Sequence, residues 1–342
     1  MSRTTLFAVC TLLFASLIGC SKAPSLQSFE GFAQGTTYHI SYWRREPIDN
    51  ALIVQMVSER LARIDASLSS YRSDSALERF NHQNTVEPQA VGAEIVQLVR
   101  QGLQVNQASD GCYDLTIKPL FDLWGFTQDQ FSVPDNTAIQ QTLGEVGMAK
   151  VAVVDDTHLK KFTPALQIDL SSIAQGYSVD QVAQVLEIQD IVNYLVEIGG
   201  ELVAKGNKLD GKAWRVAIEK PLPEQRSIDK IITLGRGATP LAVMTSGTYR
   251  HFYDDKGIRY SHILDARTGY PVTHQTASVT VFYPDAALAD AWSTALLCLG
   301  REAGLTVADQ QGIPALFIEQ SKHGFVETSS AALQGLSSIL IE

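Results

Sequence analysis

Apolar and polar positions alternate along residues 36–42, whereas they recur at spacings of three and four along residues 49–68. Strict alternation is typical of a half-buried strand, and the wider spacing is typical of an amphipathic helix. The same patterns predict further helices over residues 92–107, 175–186 and 286–299, and further strands over residues 151–154, 166–170, 191–198, 201–204, 214–219, 231–234 and 278–283. Because strands and helices do not alternate regularly, this order favours an α+β fold over a doubly wound sheet.

Proline, serine and glycine residues add detail to the prediction for three of these segments. Residues 115–126 are apolar but contain Pro119 and Gly125, which predict a loop-rich stretch. Ser171 or Ser172 is the expected N-cap of the helix that follows residue 170, because a serine hydroxyl can accept a hydrogen bond from a free N–H group of the first turn. A glycine pair at residues 199 and 200 is expected to join or bend two strands.

The N-terminus has the pattern of a lipoprotein signal peptide. Arg3 supplies a positive charge, residues 6–18 are almost wholly apolar, and Leu17-Ile18-Gly19 precedes Cys20. An ordinary secretory signal with an unrelated cysteine is the alternative. The expected division of the chain is a signal peptide at 1–19, a lipidated Cys20 with a polar tether at 20–30, and one domain at 31–342. We therefore expect a protein anchored by lipid to a bacterial membrane and facing the periplasm. Whether that membrane is the inner or the outer one is left open.

Composition and charge narrow the function classes. The chain has 342 residues, is 45% hydrophobic and 19% charged, and has a formal net charge of −10. A negative surface argues against broad nucleic-acid binding, and no apolar run after the signal reaches membrane-spanning length. Cys112 and Cys298 could form a disulfide in an oxidising compartment or remain as two buried thiols. There is no CxxC motif and no zinc-ligand spacing.

The predicted helix at 286–299 is apolar on nearly every side and yet contains Asp290. A buried carboxylate needs a cation, strong hydrogen bonds or a raised pKa. Thr294 lies four residues further on, so its hydroxyl faces the same side of the helix. Carboxylate and hydroxyl oxygens are ligands that suit Mg²⁺ and not zinc. The alternative is a carboxylate bonded to nearby backbone or to an arginine.

Three further segments contain groups that could bind a nucleotide or act in catalysis. Residues 168–177 predict a strand followed by a helix whose free N–H groups can hold phosphate, although serines there could be plain caps. Aromatic residues near 111–126 could stack a flavin or adenine ring, although core packing is the commoner use. Ser246, His262 and Asp265 could suggest a serine hydrolase, but the chain lacks a Gly-x-Ser-x-Gly elbow. It also lacks a Gly-x-Gly-x-x-Gly motif and a P-loop.

Taken together, these segments resemble the ApbE family of FAD:protein FMN transferases over roughly residues 32–300. The resemblance depends on ordered motifs: Gly35-Thr36, Ser70-Tyr71-Arg72 with Phe80-Asn81, Gly111 to Thr116 with Pro119-Leu120 and Trp124-Gly125-Phe126, Ile168 to Asp180, Glu197 to Glu201, Thr245-Ser246-Gly247, His262 to Pro271, and Asp290 to Thr294. The lipoprotein signal agrees with it independently. Three positions depart from the usual family pattern and put local contacts in doubt: Gln34, Gln175 and Ala266.

The resemblance implies an α+β mixed fold that binds FAD in a central cleft. It implies that Mg²⁺ is held by the Ala174 backbone carbonyl, Asp290 and Thr294. The positions implied to contact FAD are Gln34, Tyr71, Cys112, Tyr113, Asp114, Ser171, Tyr177 and Leu264. His262 is implied to deprotonate the acceptor hydroxyl, and Asp265 to shape the loop of His262.

The implied reaction is Mg²⁺-dependent transfer of the FMN half of FAD to a threonine or serine of an acceptor protein, with release of AMP. Acceptors in the family are subunits of membrane redox pumps and related flavoproteins, which carry a short Asp-Gly-x-Ser/Thr-Gly-Ala/Ser-Thr-like motif. Two alternatives are a periplasmic FAD pyrophosphatase, which uses water in place of the hydroxyl, and a non-catalytic flavin-binding lipoprotein. The identity of the acceptor, the oligomeric state and the number of metal ions stay open.

Overall fold

The computed structural model describes residues 23–127, 130–222, 228–234 and 237–342. The predicted signal peptide and Cys20 lie outside these residues. Within the described ranges, no helix is both long enough and apolar enough to cross a membrane.

The helices of the described chain are α1 (Asn50–Leu68), α2 (Ala76–His82), α3 (Ala93–Ala108), α4 (Lys118–Trp124), α5 (Asn136–Leu143), α6 (Ser171–Ile188), α7 (Ala286–Gln311) and α8 (Ala331–Gln334). The strands are β1 (Gln27–Ala33), β2 (Thr36–Trp43), β3 (Gln89–Ala90), β4 (Val151–Val153), β5 (His158–Lys161), β6 (Asn193–Ile198), β7 (Glu201–Lys205), β8 (Trp214–Glu219), β9 (Ile228–Leu234), β10 (Leu241–Gly247), β11 (Phe252–Asp255), β12 (Ile258–Ser261), β13 (Leu264–Asp265), β14 (Tyr270–Pro271), β15 (Thr276–Tyr283), β16 (Ala315–Ser321), β17 (Gly324–Ser329) and β18 (Ile339–Ile341).

One eight-stranded sheet organises the chain. Its strand order is β1-β2-β6-β7-β10-β15-β16-β17, and every neighbouring pair is antiparallel. An antiparallel sheet with its helices packed mainly on one face is an α+β arrangement, so the predicted fold class is confirmed. Strand β1 begins at Gln27, so residues 27–30, which we expected in the tether, belong to the sheet.

The two faces of this sheet are covered differently. Helices α1, α3, α6 and α7 enclose one large apolar core with one face of the sheet. A second, three-stranded sheet of order β18-β9-β8 packs on the opposite face through residues such as Trp214, Ile232 and Phe282. The middle of the sheet is therefore buried on both faces. This explains why seven of the eight residues of β15 are buried without alternation.

A third apolar cluster lies beside the helical layer. It joins α4 and α5 to the short strands β11 to β14 through Leu120, Trp124, Ile139 and Leu264. Trp124 donates its indole N–H to the Gly269 carbonyl at 2.9 Å. This cluster fixes the loop that carries His262.

The expected loop at 115–126 is wrong, because it contains α4. Pro119 lies in the first turn of that helix, where a missing N–H group costs nothing. Gly125 ends the helix with φ +76°, a left-handed conformation that favours glycine. Both residues mark the ends of a helix and not a loop.

The expected strand at 166–170 is also wrong. Leu166, Ile168 and Leu170 are buried in alternation, as in a strand. However, the Asn81 side chain takes the place of a neighbouring strand. Its Oδ1 accepts from the Ile168 N–H at 2.8 Å, and its Nδ2 donates to the Ile168 carbonyl at 2.9 Å. Alternating burial therefore arose here without a sheet.

Candidate active site

A cleft of about 400 Å³ opens between the paired helices α6 and α7, the ends of β7 and β10, and the cluster around α4. It brings together most of the predicted site residues. Those that line it are Tyr71, Cys112, Tyr113, Asp114, Ser171, His262, Leu264, Asp290 and Thr294. Side chains that are as much as 220 residues apart in sequence therefore meet in one cavity.

Helices α6 and α7 meet at a glycine. Gly176 of α6 donates its N–H to Asp290 Oδ2 at 2.9 Å, and Asp290 is 6% exposed. A Cβ atom on residue 176 would lie 2.2 Å from the Ala286 carbonyl oxygen, so only glycine permits this approach. Thr294 lies one turn beyond Asp290, and its hydroxyl is 3.0 Å from the Ser246 hydroxyl. We call the cleft wall around Asp290 and Thr294 the metal end.

The metal end brings two carboxyl groups close together, those of the buried Asp290 and the partly buried Glu201. Burial raises the pKa of Asp290 to about 7. Burial and the nearby Asp290 carboxylate raise the pKa of Glu201 well above its usual range. The Glu201 carboxylate accepts a hydrogen bond from the Thr245 N–H at 3.0 Å. Two facing carboxylates with raised pKa values are stabilised in their charged forms by a cation.

The oxygen atoms at this end suit Mg²⁺. Asp290 offers a carboxylate and Thr294 a hydroxyl, and both residues line the cleft. The Ala174 backbone carbonyl, the third predicted ligand, lies in α6, accepts from the Ser178 hydroxyl at 2.8 Å and is not part of the cleft lining. Hard oxygen donors such as a carboxylate and a hydroxyl are the ligands that Mg²⁺ prefers. Asp290 and Thr294 therefore fit the predicted metal.

Helix α6 begins at the cleft, and its serines are not its caps. Ser171 and Ser172 lie inside the first turn, and the N-cap position is Leu170, which makes no side-chain cap. The Asp169 carboxylate accepts from the Ser171 N–H at 2.8 Å instead. The Ser172 hydroxyl donates to the Tyr113 hydroxyl at 3.1 Å. The prediction of a serine cap is wrong, and the positive end of the helix faces the cleft.

The side chain of Asp114 holds the loop at 111–116 in its conformation. Its carboxylate accepts from the backbone N–H groups of Thr116 at 2.7 Å and Met148 at 3.0 Å. Burial raises the pKa of Asp114. Asp114 lines the cleft as predicted, but its oxygen atoms hold the loop.

A disulfide joins this loop to α7. It links Cys112 and Cys298 across 186 residues, with their Cα atoms 6.1 Å apart. Of the two alternatives left open by the sequence, the structure contains the paired form. Asp265 lies close to the two sulfur atoms, but disulfide sulfurs are not thiolate ligands, so this group is not a metal site.

His262 lies at the opposite wall of the cleft, between β12 and β13. Its Nδ1 is 2.8 Å from the His251 carbonyl oxygen, so Nδ1 carries the proton and donates it, leaving Nε2 as an acceptor. Burial lowers the pKa of His262 to about 4. The ring is therefore neutral at pH 7 and can take up a proton. We call this wall, with the His251 and Phe126 rings beside it, the histidine end.

Asp265 does not contact His262. Its carboxylate binds the Arg267 guanidinium at 2.7 Å and accepts from the Arg267 N–H at 2.9 Å, which closes the turn that follows. The Ser246 hydroxyl pairs with Ser293 at 2.7 Å. Ser246, His262 and Asp265 therefore do not form a Ser-His-Asp triad, and Asp265 closes the turn that follows it.

Four predicted residues of the described chain do not line the cleft: Gln34, Ala174, Tyr177 and Asp265. Gln34 has φ +51° and donates its side-chain amide to the Ser178 hydroxyl at 2.9 Å. The Tyr177 hydroxyl accepts from Arg60 at 3.2 Å on the side of α6 that faces α1. Asp265 is described above. Conversely, Glu201 lines the cleft without having been predicted as a site residue, although its position directly after two glycines at the start of a strand is a usable signal.

Comparisons with known proteins agree with this geometry. The sequence pattern of the ApbE family matches residues 34–317. An FAD:protein FMN transferase from Vibrio cholerae is 38% identical over 335 residues, which are 97% of this chain and 98% of that protein. One from Salmonella typhimurium is 34% identical over 338 residues, 95% of each chain. The apo crystal structure of the Pseudomonas stutzeri flavinyl transferase ApbE superposes with a TM-score of 0.83 at 39% identity, covering 92% of this chain and 97% of that one.

Proposed function

The chain belongs to the ApbE family, and we propose that it is an FAD:protein FMN transferase. It transfers the FMN half of FAD to a threonine or serine hydroxyl of an acceptor flavoprotein and releases AMP. The names of the relatives and of the solved structures support this activity. One observation of this chain carries it: a buried Asp290 carboxylate beside Glu201 faces a neutral His262 across one cleft.

The metal end would hold Mg²⁺ through Asp290, Thr294 and the Ala174 carbonyl. The ion would neutralise charge that develops on the phosphate oxygens when the pyrophosphate bond breaks. The first turn of α6, with Ser171 and Ser172, offers N–H and hydroxyl donors to a phosphate of FAD. Phosphoryl transfer asks mainly for positioning and electrostatic stabilisation, so no covalent intermediate with the protein is needed.

The flavin-facing wall would be formed by the loop at 111–116, Leu264 and Tyr71. Tyr71 is 87% exposed at the rim, which leaves its ring free to stack on a bound ring system. The Cys112–Cys298 disulfide lies beneath this wall. These contacts would orient FAD so that the FMN phosphorus lies between the two ends of the cleft.

The histidine end would activate the acceptor. The unprotonated Nε2 of His262 takes the proton of the acceptor hydroxyl as its oxygen bonds to the FMN phosphorus. The bond from that phosphorus to the AMP oxygen breaks, and AMP leaves. The Nδ1–H bond to the His251 carbonyl keeps the ring in the required tautomer during this step.

We also propose that the protein is a lipoprotein, with lipid on Cys20 and a periplasmic domain. The short polar segment between Cys20 and β1 would keep the cleft near the membrane surface. Acceptors would then be flavoprotein subunits of membrane redox pumps that expose a threonine or serine on the same side. Labelling with a radioactive fatty acid, lost in Cys20→Ser, tests this anchor.

Product analysis tests the reaction itself. The protein is incubated with FAD, Mg²⁺ and an acceptor flavoprotein, and nucleotides are quantified by chromatography. A transferase releases AMP without an equal amount of free FMN, because FMN stays on the acceptor. Equal AMP and free FMN with an unmodified acceptor would identify a pyrophosphatase instead. Intact FAD after incubation with several acceptors would leave only a flavin-binding protein.

A further inference from the structure

The Cys112–Cys298 disulfide lies where the proposed flavin-binding loop meets the metal-binding helix. Cys112 directly precedes Tyr113, and Cys298 lies one helical turn beyond Thr294. Both cysteines line the cleft. The covalent bond therefore joins the wall that would contact the flavin to the helix that would hold the metal.

Besides the disulfide, the Cys298 sulfur of α7 lies 3.2 Å from the Cys112 carbonyl oxygen, and the loop packs in the same apolar core as α7. Its other hydrogen bonds among the described residues run elsewhere: Asn106 of α3 binds the Tyr113 carbonyl at 2.6 Å, and Ser172 of α6 binds the Tyr113 hydroxyl. The Cys112 carbonyl accepts from the Ala266 N–H at 3.4 Å. Opening the disulfide would thus replace the covalent link between the loop and α7 by weaker contacts, such as a hydrogen bond from the Cys298 thiol to the Cys112 carbonyl, and leave the other contacts in place.

Access to the disulfide runs through the cleft. Cys112 is 1% exposed and Cys298 is 4% exposed, and what surface they retain faces the cavity. A bound flavin would occupy that cavity. A reductant and the flavin would therefore compete for the same space.

We propose that the Cys112–Cys298 disulfide is a thiol-exchange site whose oxidation state controls FAD affinity, and whose partner is a dithiol reductant. A thiolate of the reductant attacks one of the two protein sulfurs; the Cys112–Cys298 bond breaks, the other protein sulfur leaves as a thiolate, and a mixed disulfide forms. The second thiol of the reductant loses its proton and attacks the reductant's own sulfur in the mixed disulfide, so the second protein sulfur leaves as a thiolate. Both protein thiolates take up protons, and the reductant is left as a disulfide. The inference rests on the proposed function, because it requires FAD in this cleft.

FAD binding and the disulfide–dithiol equilibrium must be thermodynamically linked. If the disulfide form binds FAD more tightly by some factor, saturating FAD must favour the disulfide over the two thiols by the same factor. Opening the bond adds freedom to the loop, which FAD must remove again when it binds. We expect a factor of roughly ten, which is within the usual range of coupling between two sites.

Two measurements test this linkage: the FAD affinity of each redox state, and the redox state with and without FAD. Both use the intact protein without Mg²⁺ and without acceptor, so that FAD is not consumed. Calorimetry gives the FAD dissociation constant of the oxidised protein, of the protein reduced with dithiothreitol, and of Cys112→Ser/Cys298→Ser. The latter two should bind roughly tenfold more weakly, and dithiothreitol should have no effect on the double variant. Cys112→Ser alone should match the double variant, because either change removes the bond.

The reciprocal measurement needs no variant. The protein is equilibrated in graded mixtures of reduced and oxidised dithiothreitol, with and without saturating FAD, then alkylated and weighed by mass spectrometry. FAD should shift the midpoint by the same factor that calorimetry gives. Equal FAD affinities within twofold, or a midpoint that FAD does not move, would overturn the inference while leaving the transferase intact. Failure of every form to bind FAD would overturn the proposed function as well.

Discussion

The two ends of the cleft are built by opposite means. The metal end is carried by two long helices that touch at Gly176, so Asp290 and Thr294 have little freedom to move. The histidine end is carried by strands of two to four residues and the turns between them. A cation needs its ligands fixed in advance, whereas the hydroxyl of a protein partner must be able to approach. Accordingly, rigid helices form the metal end, and short strands with turns form the histidine end.

Burial shifts the pKa values at the two ends of the cleft in opposite directions. It raises the pKa of Asp290 to about 7 and lowers the pKa of His262 to about 4. In each case burial disfavours the charged form. At the metal end this creates a demand for a cation, and at the histidine end it produces an uncharged base. The same physical cause thus prepares two different chemical roles.

The largest effect is expected at the metal end. Asp290→Asn keeps the shape of the side chain and an oxygen that can accept from the Gly176 N–H, but it removes the negative charge. We expect AMP release to fall roughly a thousandfold, because a metal ion supplies several kcal/mol and each tenfold corresponds to about 1.4 kcal/mol. Chemical denaturation should show unchanged or higher stability, since a buried charge has been removed. Near-normal AMP release would contradict a metal role for Asp290.

A smaller loss is expected at the histidine end. His262→Asn keeps a donor for the His251 carbonyl but has no base in place of Nε2. Transfer to the acceptor should fall roughly a hundredfold, the usual contribution of a general base, with FAD affinity unchanged. In the unsubstituted protein saturated with Mg²⁺, which would hold Asp290 in its charged form, kcat/KM should stay flat between pH 6 and 8, because His262 gains its proton only near pH 4. A rise near pH 6.5 that is lost in His262→Asn would show that the pKa of His262 is not lowered, and equal transfer rates in the two proteins would show that His262 is not the base.

The rigidity of the metal end can be tested by steric means. In Gly176→Ala the new Cβ would lie 2.2 Å from the Ala286 carbonyl oxygen and 2.8 Å from the Asp290 Cβ, so α6 and α7 must separate. We expect a loss of about 1 to 3 kcal/mol in the free energy of unfolding. The control is Gln184→Ala, at an exposed position of the same helix, which should change stability by less than about 0.5 kcal/mol. Equal stabilities would show that the helix contact is not tight.

The smallest effect concerns a carboxylate that joins the two helices. Asp180 accepts from the Ala286 N–H at 2.8 Å, and burial raises its pKa to about 7, helped by Asp285. Between about pH 4 and pH 7 the folded chain keeps a proton that the unfolded chain releases, so this group lowers stability as pH rises through that range. Asp180→Asn cannot titrate.

Urea unfolding at pH 5 and pH 8 measures this contribution. The fall in the free energy of unfolding between the two values should be smaller in Asp180→Asn than in the unsubstituted protein, by on the order of 2 kcal/mol. An identical fall in both proteins would mean that the Asp180 carboxylate is already ionised at pH 5.

The placement of Asp290 and Thr294 on one buried helix was predictable from sequence, whereas the contacts around them were not. Spacing of four residues placed Asp290 and Thr294 on one face of a helix, and the all-round apolar pattern indicated its burial. Nothing local indicates that Gly176 meets Asp290, or that Glu201 faces it, because these contacts join segments that are distant along the chain. The disulfide was left open for the same reason.

Other parts of the chain show where local sequence patterns mislead. Pro119 and Gly125 suggested a loop, although they are the start and end signals of α4. No strand was predicted for β10, which lies in the centre of the sheet; its last three residues, Thr-Ser-Gly, entered only as a motif of the family resemblance. Asn81 imitates a neighbouring strand for residues 166–170, which no periodicity can reveal. Folding brings His262 to the cleft through the cluster around Trp124, whose parts are about 140 residues apart.

The mass of an acceptor flavoprotein shows whether the protein transfers FMN to it. The acceptor is incubated with FAD, Mg²⁺ and, in parallel, the unsubstituted protein, Asp290→Asn or His262→Asn, and its intact mass is then measured. We predict that the unsubstituted protein adds one FMN to a threonine or serine, and that both variants add far less while remaining folded. An acceptor that stays unmodified with the unsubstituted protein, or gains FMN equally with all three, would contradict the account.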